Sequence, residues 1–395
     1  MNDITLWRED TPGTKFYTHL NNAGASLMPT PVIDAVKNQI DLEASMGGYE
    51  AAAYRAPYTK AFYTETAKLF GAQSKNIAFT ANATDAYNRA LSAIDFKPGD
   101  VILTSSNDYV SNFVAFLSMH KRLGIQIKIV ANLPSGEIDL DALKSDIEKY
   151  KPVLFSLTHI PTNSGLIQPV EEAGKICKEY DLIYLVDGCQ SAGQLQVDFK
   201  KIHCDFYSAT FRKFLRGPRG AGFLYVSDHI LDKGRHPLYM DMRGADWMEE
   251  GSFTLHDDAI RFEDWERSYA LMFGALRAIQ YASKVTMPVI EQRCRMLADN
   301  LRSGLNQLDG IEVMDRGSNL GAIVTAHSKV LSPAQLKEAL KEAKINCSFG
   351  NKLNALIDFK EKGIDWIVRF APHYYNTEEE IQKPIEVIEA LLLTL

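Results

Sequence analysis

Cysteine is scarce in this chain of 395 residues: Cys177, Cys189, Cys204, Cys294 and Cys347 are the only five. Odd in number and without a C-x-x-C pair, they suggest neither a disulfide framework nor a zinc site, and a cytoplasmic location is expected. Long apolar runs are lacking too. No stretch reaches the ~18 residues of a membrane span. The opening residues, MNDITLWREDTPG, are charged and have no apolar core, so neither a signal peptide nor an anchor is expected there. Positive charge is not in surplus. Lys and Arg number 43 against 50 Asp and Glu, a net charge of −7, so no basic footprint for nucleic acid appears. Internal repeats and low-complexity tracts are absent. What remains is 46% hydrophobic, enough for a full core in two or more domains.

The most informative stretch is LIYLVDGCQSAGQLQVDFKKIHCDFYSATFRKFLRGPRGAGFLYV, residues 182–226. Its first apolar run predicts a strand buried on both faces and ending in Asp187, with Gln190 just beyond. A second strand-like run, 205–209, leads into Thr210, Phe211, Arg212 and Lys213. The chain then re-enters an apolar strand at 222–226. Carboxyl ends of parallel strands are where open α/β sheets keep their chemistry. A lysine there with an acid at a neighbouring strand end suits pyridoxal 5′-phosphate (PLP). Its aldehyde needs an amine, and its pyridine nitrogen needs an anion to hold a proton. On those two residues alone, a solvated loop lysine and a helix-capping aspartate account for the pattern equally well.

Upstream and downstream the pattern is alternating. NIAFT, VILTS, QIKIV and VLFSLTHI read as strands with helical segments between them, which predicts a mostly parallel, doubly wound sheet. After residue 227 the character changes. An apolar helical run at 268–283 and a second at 288–308 lead into strands at 311–314, 322–325 and 368–371, with helices at 332–343 and 377–393.

Taken whole, the chain resembles the class V aminotransferase family, which includes cysteine desulfurases. Asp187, Gln190 and Gly193 fit its D-x-x-Q-x-x-G strand end. Lys213 then precedes a G-P-x-G-x-G-x-L-Y match at Gly217, Pro218, Gly220, Gly222, Leu224 and Tyr225. The resemblance implies PLP-dependent transferase fold type I: a large PLP-binding domain (31–265) with a mostly parallel doubly wound sheet, and a smaller C-terminal α/β domain (266–395) with its connecting helix. Residues 1–30 form an N-terminal segment and active-site loop. Lys213 and Asp187 are the implied catalytic pair. Ala83, Thr84, Thr210 and Arg212 are implied to hold the phosphate, and Tyr109, in an (H/Y)-x-S-N motif, to stack on the pyridine ring. Gln190 is implied to meet the phenolic oxygen together with Thr162, although Asn163 is one residue away and the sequence leaves that choice open. Arg369, in DWIVRFAPHYYNTEEEI, is implied to grip the substrate carboxylate, and Asn22, Ala23 and Gly24 to line the substrate side. No metal is implied. Departures from the family pattern are Arg212 for a usual His, Phe211 for a small residue, Asn82 for a glycine, and Trp265-Glu266 where desulfurases commonly carry Gly-Thr.

The expected activity is that of a PLP enzyme acting on a small α-amino acid through a Schiff base and Cα deprotonation. A C–S lyase working by β-elimination is the first reading. Aminotransferase and epimerase are alternatives, and a silent regulatory protein of the same fold is a fourth, opposed by the joint presence of Asp187, Lys213 and Arg369. The persulfide-forming cysteine of desulfurases is not expected, because its place by spacing from Arg369 falls near Asn354, in NKLNALIDF. Alternation reads Cys347 as a buried strand residue. A homodimer is expected, with the helix at 268–283 offering apolar surface, and no membrane or nucleic-acid partner.

Overall fold

The computed structural model describes residues 3–394; residues 1–2 and 395, at the ends of the two terminal segments, lie outside it. Seven strands form the central sheet: β1 (Ile77–Thr80), β2 (Val101–Thr104), β3 (Gln126–Ile129), β4 (Leu154–Thr158), β5 (Ile183–Asp187), β6 (Phe206–Thr210) and β7 (Gly222–Val226). Their spatial order is β1-β7-β6-β5-β4-β2-β3. From β3 across to β6 all neighbours run parallel. Every residue of β4, β5 and β6 is buried, in keeping with their largely apolar sequences. Edge strand β3 is half exposed and carries Gln126 and Lys128, which blunt it against pairing with other chains.

β7 runs antiparallel to both of its neighbours. A parallel return needs a crossover of a dozen or more residues, usually helical. The link 211–221 contains no helix, so the chain doubles back beside β6. That tight link carries Lys213.

Helices α1 (Thr30–Met46), α2 (Ala56–Leu69), α3 (Ala83–Ser92), α4 (Val110–Leu123) and α5 (Tyr269–Val285) surround the sheet. Helix α3 starts where β1 ends, because the Asn82 side chain caps it by accepting from the Asp85 N–H at 3.0 Å. Helix α4 stops at Gly124, whose φ of 72° is the left-handed cap that glycine adopts without strain.

The C-terminal unit is a four-stranded antiparallel sheet: β8 (Ile311–Val313), β9 (Val324–Ser328), β10 (Ser348–Asn351) and β11 (Trp366–Phe370), ordered β8-β9-β11-β10. The strand expected to hold Cys347 is divided at that residue. Ile345–Asn346 pairs in parallel with Thr18–His19 of the N-terminal segment, whereas β10 pairs with β11. Cys347 sits at the break between two sheets.

The apolar helix expected at a subunit surface is spent inside the protomer. On α5, Met272, Phe273, Ala275, Leu276, Ala278 and Ile279 are buried. Phe273 packs on Tyr58 of α2, and Gly274 lies close against Val36 of α1. Since α5 packs on large-domain helices, we propose the boundary at Thr286, between α5 and the helix Met287–Leu305, rather than at 265. No helix of the described residues is long and apolar enough to cross a membrane.

Candidate active site

At the carboxyl end of the parallel strands lies a cavity of about 320 Å³. Asp187, the last residue of β5, projects into it from a wholly buried strand. One carboxylate oxygen accepts from the Cys189 N–H at 2.9 Å, the other from Asn112 Nδ2 at 3.1 Å. Gln190 follows on the same turn. Its Nε2 donates to the Ala23 carbonyl (3.2 Å) and to Thr162 Oγ1 (3.1 Å), while its Oε1 is buried without a protein partner. The turn closes at Gly193, with φ of 95°, where a Cβ would stand 2.4 Å from the Phe214 carbonyl carbon. Only glycine lets this turn press against the backbone that carries Lys213.

Lys213 is buried, with its Nζ 5.9 Å from the centroid of the Tyr109 ring. It makes no hydrogen bond or ion pair with the described residues. Burial is the main force lowering its pKa; the nearby Arg212 and Arg369 lower it further, against Cys189 and Asp187, which raise it. A buried amine shifted this way holds less of its charge near neutrality and is a better base and nucleophile.

The remaining wall is built for an anion. Ala83 and Thr84 begin α3, where the first N–H groups have no partner within the helix and the helix dipole is positive. Thr210 ends β6, and its hydroxyl donates to the Ala221 carbonyl at 3.3 Å. Arg212 and Arg219 line the same cavity, and neither is ion-paired among the described residues. Burial, then the neighbouring Arg219, pushes the Arg212 pKa down.

Arg369, on β11, does not line this cavity but borders it through Thr162. Its Nη1 donates to Thr162 Oγ1 at 2.7 Å and to the Thr162 carbonyl at 3.1 Å, and its Nε is buried and unpartnered. Burial, with Arg212 nearby, pushes its pKa down to about 10.

Of the residues singled out from sequence, the structure brings Ala83, Thr84, Tyr109, Thr162, Asp187, Gln190, Thr210, Arg212 and Lys213 to one cavity. Asn163 is buried off its wall. Asn22 is not brought to the site. It is fully buried; its amide nitrogen donates to the Ala371 carbonyl (2.7 Å) and its oxygen accepts from Tyr375 and Ser26. Its neighbour Asn21 takes the outward position, 3.5 Å from Arg369 Nη2. Ala23 and Gly24 contribute carbonyls, accepting from Gln190 and Arg212 respectively. The sequence does not single out Asn21, Cys189 or Arg219. Arg219 had a visible signal, a second arginine inside the R-G-P-R-G turn.

The Lys213 amine, the N-terminus of α3 and the Arg212 and Arg219 guanidinium groups, none ion-paired among the described residues, fit an anionic carbonyl cofactor, and the unpartnered Gln190 oxygen can accept from its hydroxyl. Fold and cavity together define the class: a PLP-dependent enzyme of fold type I. Residues 18–383 match the profile of the family described as aminotransferase class-V, and the chain belongs to that family. It is related to cysteine desulfurases. It is 28% identical to a probable cysteine desulfurase of Pyrococcus abyssi, covering 98% of this chain and 97% of that protein. A probable cysteine desulfurase of Methanothermobacter thermautotrophicus is 26% identical, with 97% of each covered. Among solved structures, an apo cysteine desulfurase from Thermococcus onnurineus superposes with a TM-score of 0.90 at 26% identity, over 99% of this chain and 98% of the other. The cystine C–S lyase C-DES, in complex with cysteine persulfide, shares the fold at a TM-score of 0.85 and 23% identity, over 96% and 99%.

Proposed function

We propose that this enzyme is a C–S lyase acting by β-elimination on a small α-amino acid that carries sulfur on Cβ. PLP, when bound, draws electrons from the substrate's Cα. Asp187 would hold the ring nitrogen's proton, Tyr109 would cover the ring, and Gln190 with Thr162 would meet the phenolic oxygen. Ala83, Thr84, Thr210 and Arg212 hold the phosphate through the helix terminus, hydroxyls and charge. Arg369 receives the α-carboxylate, its planar fork matching two oxygens. Lys213 takes the proton from Cα and returns one to the departing sulfur. For cysteine the balance is one water consumed, with pyruvate, ammonia and sulfide released.

The observation that carries the lyase reading is where the thiols stand. The segment around Asn354 forms a short 3-10 turn, Lys352–Asn354, followed by the helix Leu356–Lys362, with no cysteine in either. Cys347, at its strand break, is partly buried against the core, and burial pushes its pKa up to about 12 although Arg369 pulls the other way. A persulfide-forming enzyme needs an accessible thiolate. Elimination needs none.

Cys347→Ser is therefore expected to leave sulfide release from cysteine intact, with pyruvate formed in equal amount. Loss of sulfide release with PLP still bound, alanine as the product and a persulfide on wild-type Cys347 would make the enzyme a desulfurase instead.

We further propose a homodimer, supported by apolar surface other than α5. The hairpin Ala245–Glu249 with Ser252–Leu255 exposes Trp247, Met248 and Phe253, and Tyr239 and Met242 stand exposed before it. Clustered exposure of this kind marks association surfaces. Light scattering at micromolar concentration should return twice the chain mass; a monomer would contradict this.

A further inference from the structure

A second buried carboxylate stands next to Asp187. Asp108 follows β2, is only 2% exposed and does not line the cavity. Among the described residues no Lys, Arg or His pairs with it. It is held instead by uncharged donors. One oxygen accepts from Thr158 Oγ1 at 2.5 Å, the Tyr109 N–H at 2.7 Å and Asn112 Nδ2 at 2.9 Å. The other accepts from Thr104 Oγ1 at 2.6 Å and Ser156 Oγ at 3.5 Å.

Asn112 makes the connection. Its Nδ2 also donates to Asp187 at 3.1 Å, and an amide NH₂ has two hydrogens, one for each carboxylate. The two acids are thus joined by a single bridging amide on the first turn of α4. The ionisable groups whose charges reach Asp108 are Asp187 on β5 and Tyr87 on α3, the latter bonded to Ser156 at 2.5 Å. Burial is the main force raising the Asp108 pKa, the Thr104, Thr158 and Asn112 hydrogen bonds oppose it, and Asp187 adds to the rise. Burying a carboxylate without a cation is costly even when it is hydrogen-bonded. A core of ordinary apolar packing would not retain one beside another acid.

We propose that Asp108 is a positioning residue for the cofactor site: through Asn112 it fixes the orientation of the Asp187 carboxylate, and its charge strengthens the anionic end of the cavity. This rests on the reading of Asp187 as partner of the ring nitrogen. Asp108 also accepts from the N–H of Tyr109, so one carboxylate sets both the ring's anion and the aromatic side chain beside Lys213.

The test is an absorbance titration of the PLP-loaded protein against pH, with PLP dissociation constants, for Asp187→Asn, Asp108→Asn and Asn112→Ala. Negative charge favours the protonated, cationic form of the bound chromophore, so its removal lowers the midpoint. Asp108→Asn keeps the side-chain size and is expected to lower the midpoint by roughly one pH unit, in the same direction as Asp187→Asn. Asn112→Ala keeps both acids and cuts only the bridge. It is expected to weaken PLP binding about tenfold, and it carries the test should Asp108→Asn not fold. A midpoint moved by Asp187→Asn, with midpoint and affinity untouched in Asp108→Asn and Asn112→Ala, overturns the role of Asp108 alone. A midpoint unmoved by Asp187→Asn overturns the reading of Asp187 and this inference with it.

Discussion

Lys213→Ala is expected to yield a protein that folds, no longer shows the pH-sensitive yellow absorbance of a covalently held cofactor, and turns over roughly 10²–10⁴-fold more slowly. The first effect follows from chemistry: alanine has no amine for the PLP aldehyde. The second follows because no other base stands ready. Asp187 is held by its Cys189 and Asn112 donors, and burial raises the pKa of Cys189, which keeps it a thiol. The lysine's Nζ makes no hydrogen bond or ion pair with the described residues, so its removal should not unfold the link between β6 and β7. Spectrophotometry and steady-state kinetics on the same preparation check both. Wild-type absorbance or turnover in the variant would remove Lys213 from the mechanism.

Arg369→Lys is expected to raise KM for the amino acid roughly 10–100-fold, the loss of one charge-assisted hydrogen bond, while the bound cofactor's spectrum stays as it was. Charge is kept and the planar fork is lost. The structure adds a second cost. Arg369 uses Nη1 to hold Thr162, whose hydroxyl also accepts from Gln190, and a lysine ammonium is not shaped to keep that contact and still meet a carboxylate. An unchanged KM would exclude Arg369 from the substrate.

Much of the fold was legible because its signals are local. Strands β4 to β6 are largely apolar, with no alternation of polar residues to an outer face, as a sheet covered on both faces requires. The motif around Asp187 and Lys213 lies within a single strand-to-strand unit, so sequence neighbours are also site neighbours. The fate of α5 was not legible. An apolar helix reads the same whether it meets a second subunit or α1 and α2, and only packing distinguishes them.

The sequence by itself therefore determined the strand ends, the amine, the acid and the family they belong to. Tertiary structure decided between adjacent residues: Thr162 rather than Asn163 lines the cavity, and Asn21 rather than Asn22 approaches Arg369. Thr162, Asn163 and Asn22 lie in turns, where the loop dihedrals set the direction of each side chain and leave no trace in composition. It decided, too, that Asn21 and Arg369 meet across 348 positions, and that Asn112 joins Asp108 to Asp187 across 75. Such pairs come from the docking of whole elements, and no periodicity along the chain encodes them.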